Sequence, residues 1–158
     1  MPHRSFVLLL AMIPFCGCNP RDPKQPATYK VTGKVTYQGN PLEGAEVIFM
    51  TEKSPRPGRG TTNKDGEFVL STYGAGDGAM AGQHRVTVTK WEIPEFAKRN
   101  FKDSGEGDRE RAKAIAEGLP TDPKLLTPSK YKAPATSGLS FKVEPQGKNH
   151  FELPLVDD

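Results

Sequence analysis

Short stretches of strict side-chain alternation, cut at close intervals by turn residues, leave this chain few folds to choose from. Tyr29, Val31, Gly33, Val35 and Tyr37 recur at every second position. A strand sends successive side chains to opposite faces, so this run predicts a strand with one covered face. Gly39-Asn-Pro-Leu-Glu-Gly44 is a turn cluster, and residues 45–50 follow as a second, more apolar strand. Asp65-Gly66 marks another turn, since glycine tolerates positive φ and the aspartate side chain can cap the bend. It leads into residues 67–72, where Phe68 and Leu70 share a face. A glycine-rich connection over residues 73–82 precedes residues 83–89, with His84, Val86 and Val88 aligned. Residues 139–143 and 150–155 complete the series. The 16 glycines and 15 prolines fit many short strands joined by tight turns and argue against a helical bundle.

The N-terminus has a different logic. His3 and Arg4 precede residues 6–15, an apolar run of ten. A bilayer core about 30 Å thick needs roughly 20 apolar residues, so this run is too short to span and fits a signal h-region. Gly17-Cys18 follows at once. The segment resembles a bacterial lipobox, in which an apolar residue and two small ones precede the cysteine that receives a diacylglycerol thioether. Phe15 and Cys16 depart from the usual Leu and Ser/Ala/Thr, and bulky Phe15 disfavours Cys16 as the acceptor. The expectation is a signal peptide over residues 1–17, lipidation at Cys18 and a proline-rich tether over residues 18–28. Cys16 would then be discarded and Cys18 blocked, which leaves no intrachain disulfide. Each buried methylene contributes ~0.8 kcal/mol, and bacterial lipoproteins carry two or three chains, enough for stable attachment. The expected location is the cell envelope, outside the cytoplasm, with the membrane as a partner through the lipid.

The remaining residues 29–158 are the length of one small domain. Loss of Arg4 with the signal leaves 21 basic against 19 acidic residues, a balance of +2. No basic stripe interleaved with aromatics is present, so no nucleic-acid partner is expected.

Gly33-x-Val35-x-x-x-Gly39-x-Pro41-x-x-Gly44-Ala45-x-Val47, then Thr61-Thr62-x-x-Asp65-Gly66-x-Phe68-x-Leu70, then Gly82-x-His84-x-Val86-x-Val88 resembles a carboxypeptidase regulatory-like domain. The match covers residues 30–90. Pro128-Ser-Lys-Tyr131-x-x-Pro134-x-Thr-Ser-Gly-Leu139 is similar to the C-terminal strands of bacterial lipoproteins built on that domain. The resemblance implies an all-β fold, an antiparallel Greek-key β-sandwich of about seven strands, transthyretin-like. In carboxypeptidases the module sits beside the catalytic domain and is not catalytic itself, which implies a non-enzymatic role. The transthyretin-like fold hosts one enzyme, hydroxyisourate hydrolase, marked by a C-terminal Tyr-Arg-Gly-Ser. This chain ends Leu155-Val-Asp-Asp158, so that activity is not expected.

Between Lys90 and Leu139 lie 48 residues, long for a loop inside a compact domain. An insertion over residues 91–136 is expected, partly helical, with Asp108 as N-cap. Ala112, Ile115, Ala116 and Leu119 form its apolar stripe, and Gly118 and Pro120 end it. Trp91, Phe96 and Phe101 are the main spare aromatics; they either cover a sandwich edge or form a partner-binding face.

Candidate chemistry is sparse. Asn63-Lys-Asp-Gly66 resembles a calcium loop only superficially. With Gly66 at position six of an EF-hand, positions one and twelve are Thr61 and Thr72, so both key carboxylates are missing. Asp77 adds at most one oxygen. His84 and His150 are far apart in sequence, read as half-exposed strand residues and lack a clustered third ligand. No catalytic residue, metal or cofactor is therefore expected. Two readings of function remain. One is an envelope accessory or protein-interaction module contacting an envelope protein. The alternative is a carbohydrate- or small-ligand-binding lipoprotein, which needs convergent polar groups in an aromatic-lined hollow.

Overall fold

A computed structural model describes residues 25–157. The expected signal peptide, Cys18 and most of the tether lie outside the described residues. Seven strands longer than two residues are present among them: β1 (Val31–Tyr37), β2 (Glu46–Met50), β3 (Gly58–Thr61), β4 (Glu67–Val69), β5 (Gly82–Thr89), β6 (Ser140–Val143) and β7 (Asn149–Leu155). They form two sheets, ordered β6-β5-β2-β3 and β7-β1-β4, and the chain is an all-β sandwich as expected. The one α-helix among the described residues is α1 (Ser104–Ala116).

Each strand follows from its alternation. Val31, Gly33 and Val35 point inward from β1, and Val47 and Phe49 from β2. Phe68, Leu70, Val86 and Val88 complete the expected core, each at most 2% exposed. Burying one such aliphatic or aromatic side chain contributes about 1.5–3 kcal/mol. Phe49 sits at the centre, its ring centroid within 6.2 Å of those of Phe68, His84, Phe141 and Phe151. Leu139, Phe141 and Phe151 pack against this core from partly buried positions.

The pairing departs from a wholly antiparallel scheme in one place. β7 runs parallel to β1, from Asn149 opposite Val31 to Leu155 opposite Tyr37. The connection between β6 and β7 crosses from one sheet to the other, so β7 is not held in a hairpin with its predecessor. It meets β1 travelling in the same direction. The two backbones approach closely at Gly33, where an added Cβ would lie 2.2 Å from the Phe151 carbonyl oxygen and 2.6 Å from Phe68 Cζ.

The turns are built from different atoms than expected. Asn63, not Asp65, caps the bend into β4: its Oδ1 accepts from the N–H groups of Asp65 (3.0 Å) and Glu67 (2.9 Å). Gly66 has φ +76°, and its carbonyl accepts from Val35 N–H at 2.8 Å. In the glycine-rich connection, Asp77 accepts from Thr72 N–H (2.7 Å), Tyr73 N–H and Gly74 N–H (both 3.0 Å). That carboxylate is engaged in holding its own loop, which accounts for it without a cation.

Burial also moves the boundary of the insertion. Thr127, Tyr131 and Ser137 are buried, and Tyr131 belongs to the core cluster. Its hydroxyl accepts from Val156 N–H at 3.1 Å, pinning the end of β7. Residues 127–136, expected to lie in the insertion, are therefore part of the sandwich; the segment that stands apart is 91–126.

Candidate functional site

Segment 91–126 leaves the sandwich as a short ribbon. Trp91–Glu92 pairs antiparallel with Lys124–Leu125, with Glu92 opposite Lys124 and Trp91 opposite Leu125. Pro94 has no amide hydrogen to lose and opens a 3-10 turn over Glu95–Lys98. Helix α1 then begins at Ser104 with Asp103 as N-cap, five residues before Asp108. Asp103 Oδ1 accepts from Glu106 N–H and Glu106 Oε2 accepts from Lys102 N–H, both at 2.8 Å. Asp103-Ser-Gly-Glu106 is a capping-box pattern, a sequence signal that would have located the start. The helix ends as expected at Gly118 (φ +69°). Leu119 N–H donates to Ala114 O (2.8 Å) and Gly118 N–H to Ile115 O (3.0 Å).

The face that α1 turns inward is not the expected stripe. Gly107, Glu110 and Ala114 lie at i, i+3 and i+7 along one side. The Phe101 ring packs at Gly107, the Arg99 guanidinium pairs with Glu110 at 2.8 Å, and Ala114 is buried. Ile115 and Leu119 are left 61% and 54% exposed. Gly107 and Ala114 let the helix approach the preceding turn, and Ile115 on the other side faces outward.

Between the ribbon, the 3-10 turn and the end of α1 lies a groove of about 220 Å³. Ile93, Pro94, Phe96, Ala114, Leu119 and Pro120 form its apolar lining, and Glu92, Glu95, Lys98, Asp122 and Lys124 its charged rim. Small-molecule sites typically enclose 300–1,000 Å³, so this groove suits an apolar side chain better than a whole ligand. Of the three aromatics singled out from sequence, Phe96 lines the groove and Phe101 secures α1. Trp91 is 41% exposed, does not line the groove, and carries the Lys132 ammonium 5.3 Å from its ring centre. The three do not converge on one platform.

Other chemistry-bearing groups are dispersed. His84, expected to be half-exposed, is 1% exposed because it points from β5 into the aromatic cluster. Its Nε2 donates to the Met80 carbonyl at 2.8 Å, and Nδ1 has no partner among the described residues. His150 lies on the outer face of the β7-β1-β4 sheet. Its Nδ1 is 2.9 Å from the Thr32 hydroxyl and its Nε2 3.2 Å from Glu152 Oε1. This row is open to solvent on a sheet surface. No group of three or more His, Cys, Asp or Glu placed to hold a metal occurs among the described residues. At the far end of β1, the Tyr37 hydroxyl and the Gln38 amide each donate to Asp157 at 2.6 Å. Those hydrogen bonds, Tyr37's first, hold the Asp157 carboxyl below its ordinary range, and the same bond raises Tyr37.

No protein-family model and no curated protein matches the chain. Among solved structures, a DUF3823 family protein from Parabacteroides merdae is similar at 15% identity and a TM-score of 0.35, over 84% of this chain and 46% of that one. A 9R-lipoxygenase from Cyanothece is similar at 14% identity and a TM-score of 0.34, over 85% of this chain and 17% of that one. The chain thus spans less than half of either protein.

Proposed function

We propose that this chain is a lipid-anchored module of the cell envelope, of the carboxypeptidase regulatory-like, Greek-key type. It is held at a membrane through Cys18 and contacts an envelope protein through segment 91–126 without catalysing a reaction. The observation that carries this reading is the segment itself. It sets a side-chain-sized apolar groove, lined in part by half-exposed Leu119, on a stretch of chain that also leaves Ile115 open to solvent, on a scaffold whose own core is closed. Solvent-facing apolar groups clustered in this way mark contact sites more often than isolated ones do. The Thr32–His150–Glu152 row favours no catalytic role, since it lies exposed on a sheet face and not in a water-excluding cleft.

Two measurements test the reading. Cys18→Ser is expected to abolish incorporation of labelled fatty acid; unchanged labelling would remove the anchor. A photocrosslinking residue at Ile115 is expected to trap a discrete envelope protein in cells, while one at Val69, 47% exposed on the sandwich, is not. Equal trapping from both positions, or none from either, would refute a contact surface on this segment.

A further inference from the structure

Strand direction gives the molecule two unlike ends. β1 and β7 both start where the tether enters, with Val31 opposite Asn149. Thr28–Tyr29 pairs there with Ala79–Met80, and β5 starts beside them at Gly82, opposite Val143. β5 then runs to Thr89, opposite Glu46, and segment 91–126 leaves from that end. Eight residues of strand at about 3.3 Å each separate the two ends by roughly 26 Å.

Charge is distributed unequally between them. Segment 91–126 is nearly balanced, with seven basic and eight acidic residues. At the tether end, the acidic groups are largely engaged: Glu144 pairs with Lys142 at 2.8 Å, and Asp77 is held by backbone N–H groups. Lys30, Lys53 and Lys148 are exposed there and make no ion pair among the described residues, against Glu52 alone. Lys30 and Lys148 share one shallow hollow with Thr32 and His150, and Lys53 lies beside Gly82.

We infer that the tether end of the sandwich is a docking surface for anionic phospholipid headgroups, which seats the domain on the bilayer with segment 91–126 directed away from it. The inference takes proximity to a membrane from the anchored reading of Cys18. From Cys18 to Thr28 the chain extends at most about 35 Å, within which the basic end can reach the headgroups. Each Lys or Arg close to an anionic surface raises partitioning about fivefold, an effect confined to a Debye length of ~8 Å at physiological salt.

The test uses residues 18–158 with Cys18→Ser, a chain that retains every described element and needs no acyl group. Lipidation and surface binding therefore fail independently. Binding is measured by co-sedimentation with vesicles of phosphatidylcholine, alone or with a third replaced by phosphatidylglycerol. Binding to the anionic vesicles only, lost at high salt, is expected. Lys30→Glu with Lys148→Glu should weaken it about 25-fold or more. Lys102→Glu with Lys113→Glu, the same change in net charge at the far end, should leave it within about twofold, since those groups lie beyond a Debye length. Neutral Lys30→Gln with Lys148→Gln should fall between, and circular dichroism melts confirm that each variant folds. No preference for anionic vesicles, or equal loss from both double reversals, overturns the proposal. So does displacement by inorganic phosphate beyond that by chloride at matched ionic strength, which would indicate a free-phosphate site instead.

Discussion

Gly33→Ala tests the packing of the sandwich with a single methyl group. Gly33 occupies an inward position of β1 between Val31 and Val35, where alternation alone would favour any apolar residue. The added Cβ would stand 2.2 Å from the Phe151 carbonyl oxygen and 2.6 Å from Phe68 Cζ. Ordinary contact begins near 3.4 Å, so something must move by about 1 Å in an interior packed as densely as an organic crystal. The ring can tilt. The carbonyl belongs to the β7·β1 ladder and can retreat only by lengthening hydrogen bonds worth about 1 kcal/mol each. Overpacking typically costs 1–3 kcal/mol, and with a backbone obstacle the expected loss is at the top of that range, about 3 kcal/mol. For a urea slope of roughly 1.5–2 kcal/mol/M, the unfolding midpoint followed by far-UV circular dichroism should fall by about 1.5–2 M. Phe68→Leu in the same chain should restore part of the loss, because it removes the softer of the two obstacles. Gly74→Ala, where an added methyl meets nothing within 4 Å, is the control and should be near neutral. A Gly33→Ala midpoint equal to wild type, or a Gly74→Ala loss of similar size, would refute the steric account.

Two further outcomes follow from the same geometry. Replacing residues 99–123 by a few Gly and Ser should leave the sandwich folded, with a stability change of about 1 kcal/mol or less, since closure entropy varies only with the logarithm of loop length. In the intact chain, amides of α1 exchanging as slowly as those of Val86 and Val88 would instead make that segment part of the core. Asp157 has a folded-state pKa below its ordinary 3.8, so its contribution is complete above that value and is lost as the pH falls further, through the folded-state pKa. The melting-temperature gap between wild type and Asp157→Asn should therefore be constant from neutrality down to mildly acidic pH and close below it; a gap that persists in strong acid would refute the Tyr37–Asp157 clamp.

Alternation is a local property, and it located what is local. The strand cores of β1, β2 and β5, their buried residues from Val31 to Val88 and the positive-φ turn at Gly66 were all legible in the sequence, because a period of two states which side chains share a face. The helix was legible as an element, and its end at Gly118 followed from glycine's tolerance of the conformation that closes it. Periodicity does not say which face will be covered. On α1 the expected stripe through Ala112, Ile115 and Ala116 points outward, because Phe101 and the Arg99–Glu110 pair draw the opposite face onto the preceding turn. His84 could be aligned with Val86 and Val88 from sequence, but its burial depended on the aromatic cluster assembled from β2, β6 and β7. Tyr131 read as part of an insertion and became core because its hydroxyl meets the backbone at the end of β7, 25 residues away. The parallel union of β7 with β1, and with it the need for glycine at position 33, was set by where the chain crosses between sheets. Pairing across 118 residues is decided by that crossing and by the shape of the core, neither of which any local window of sequence contains.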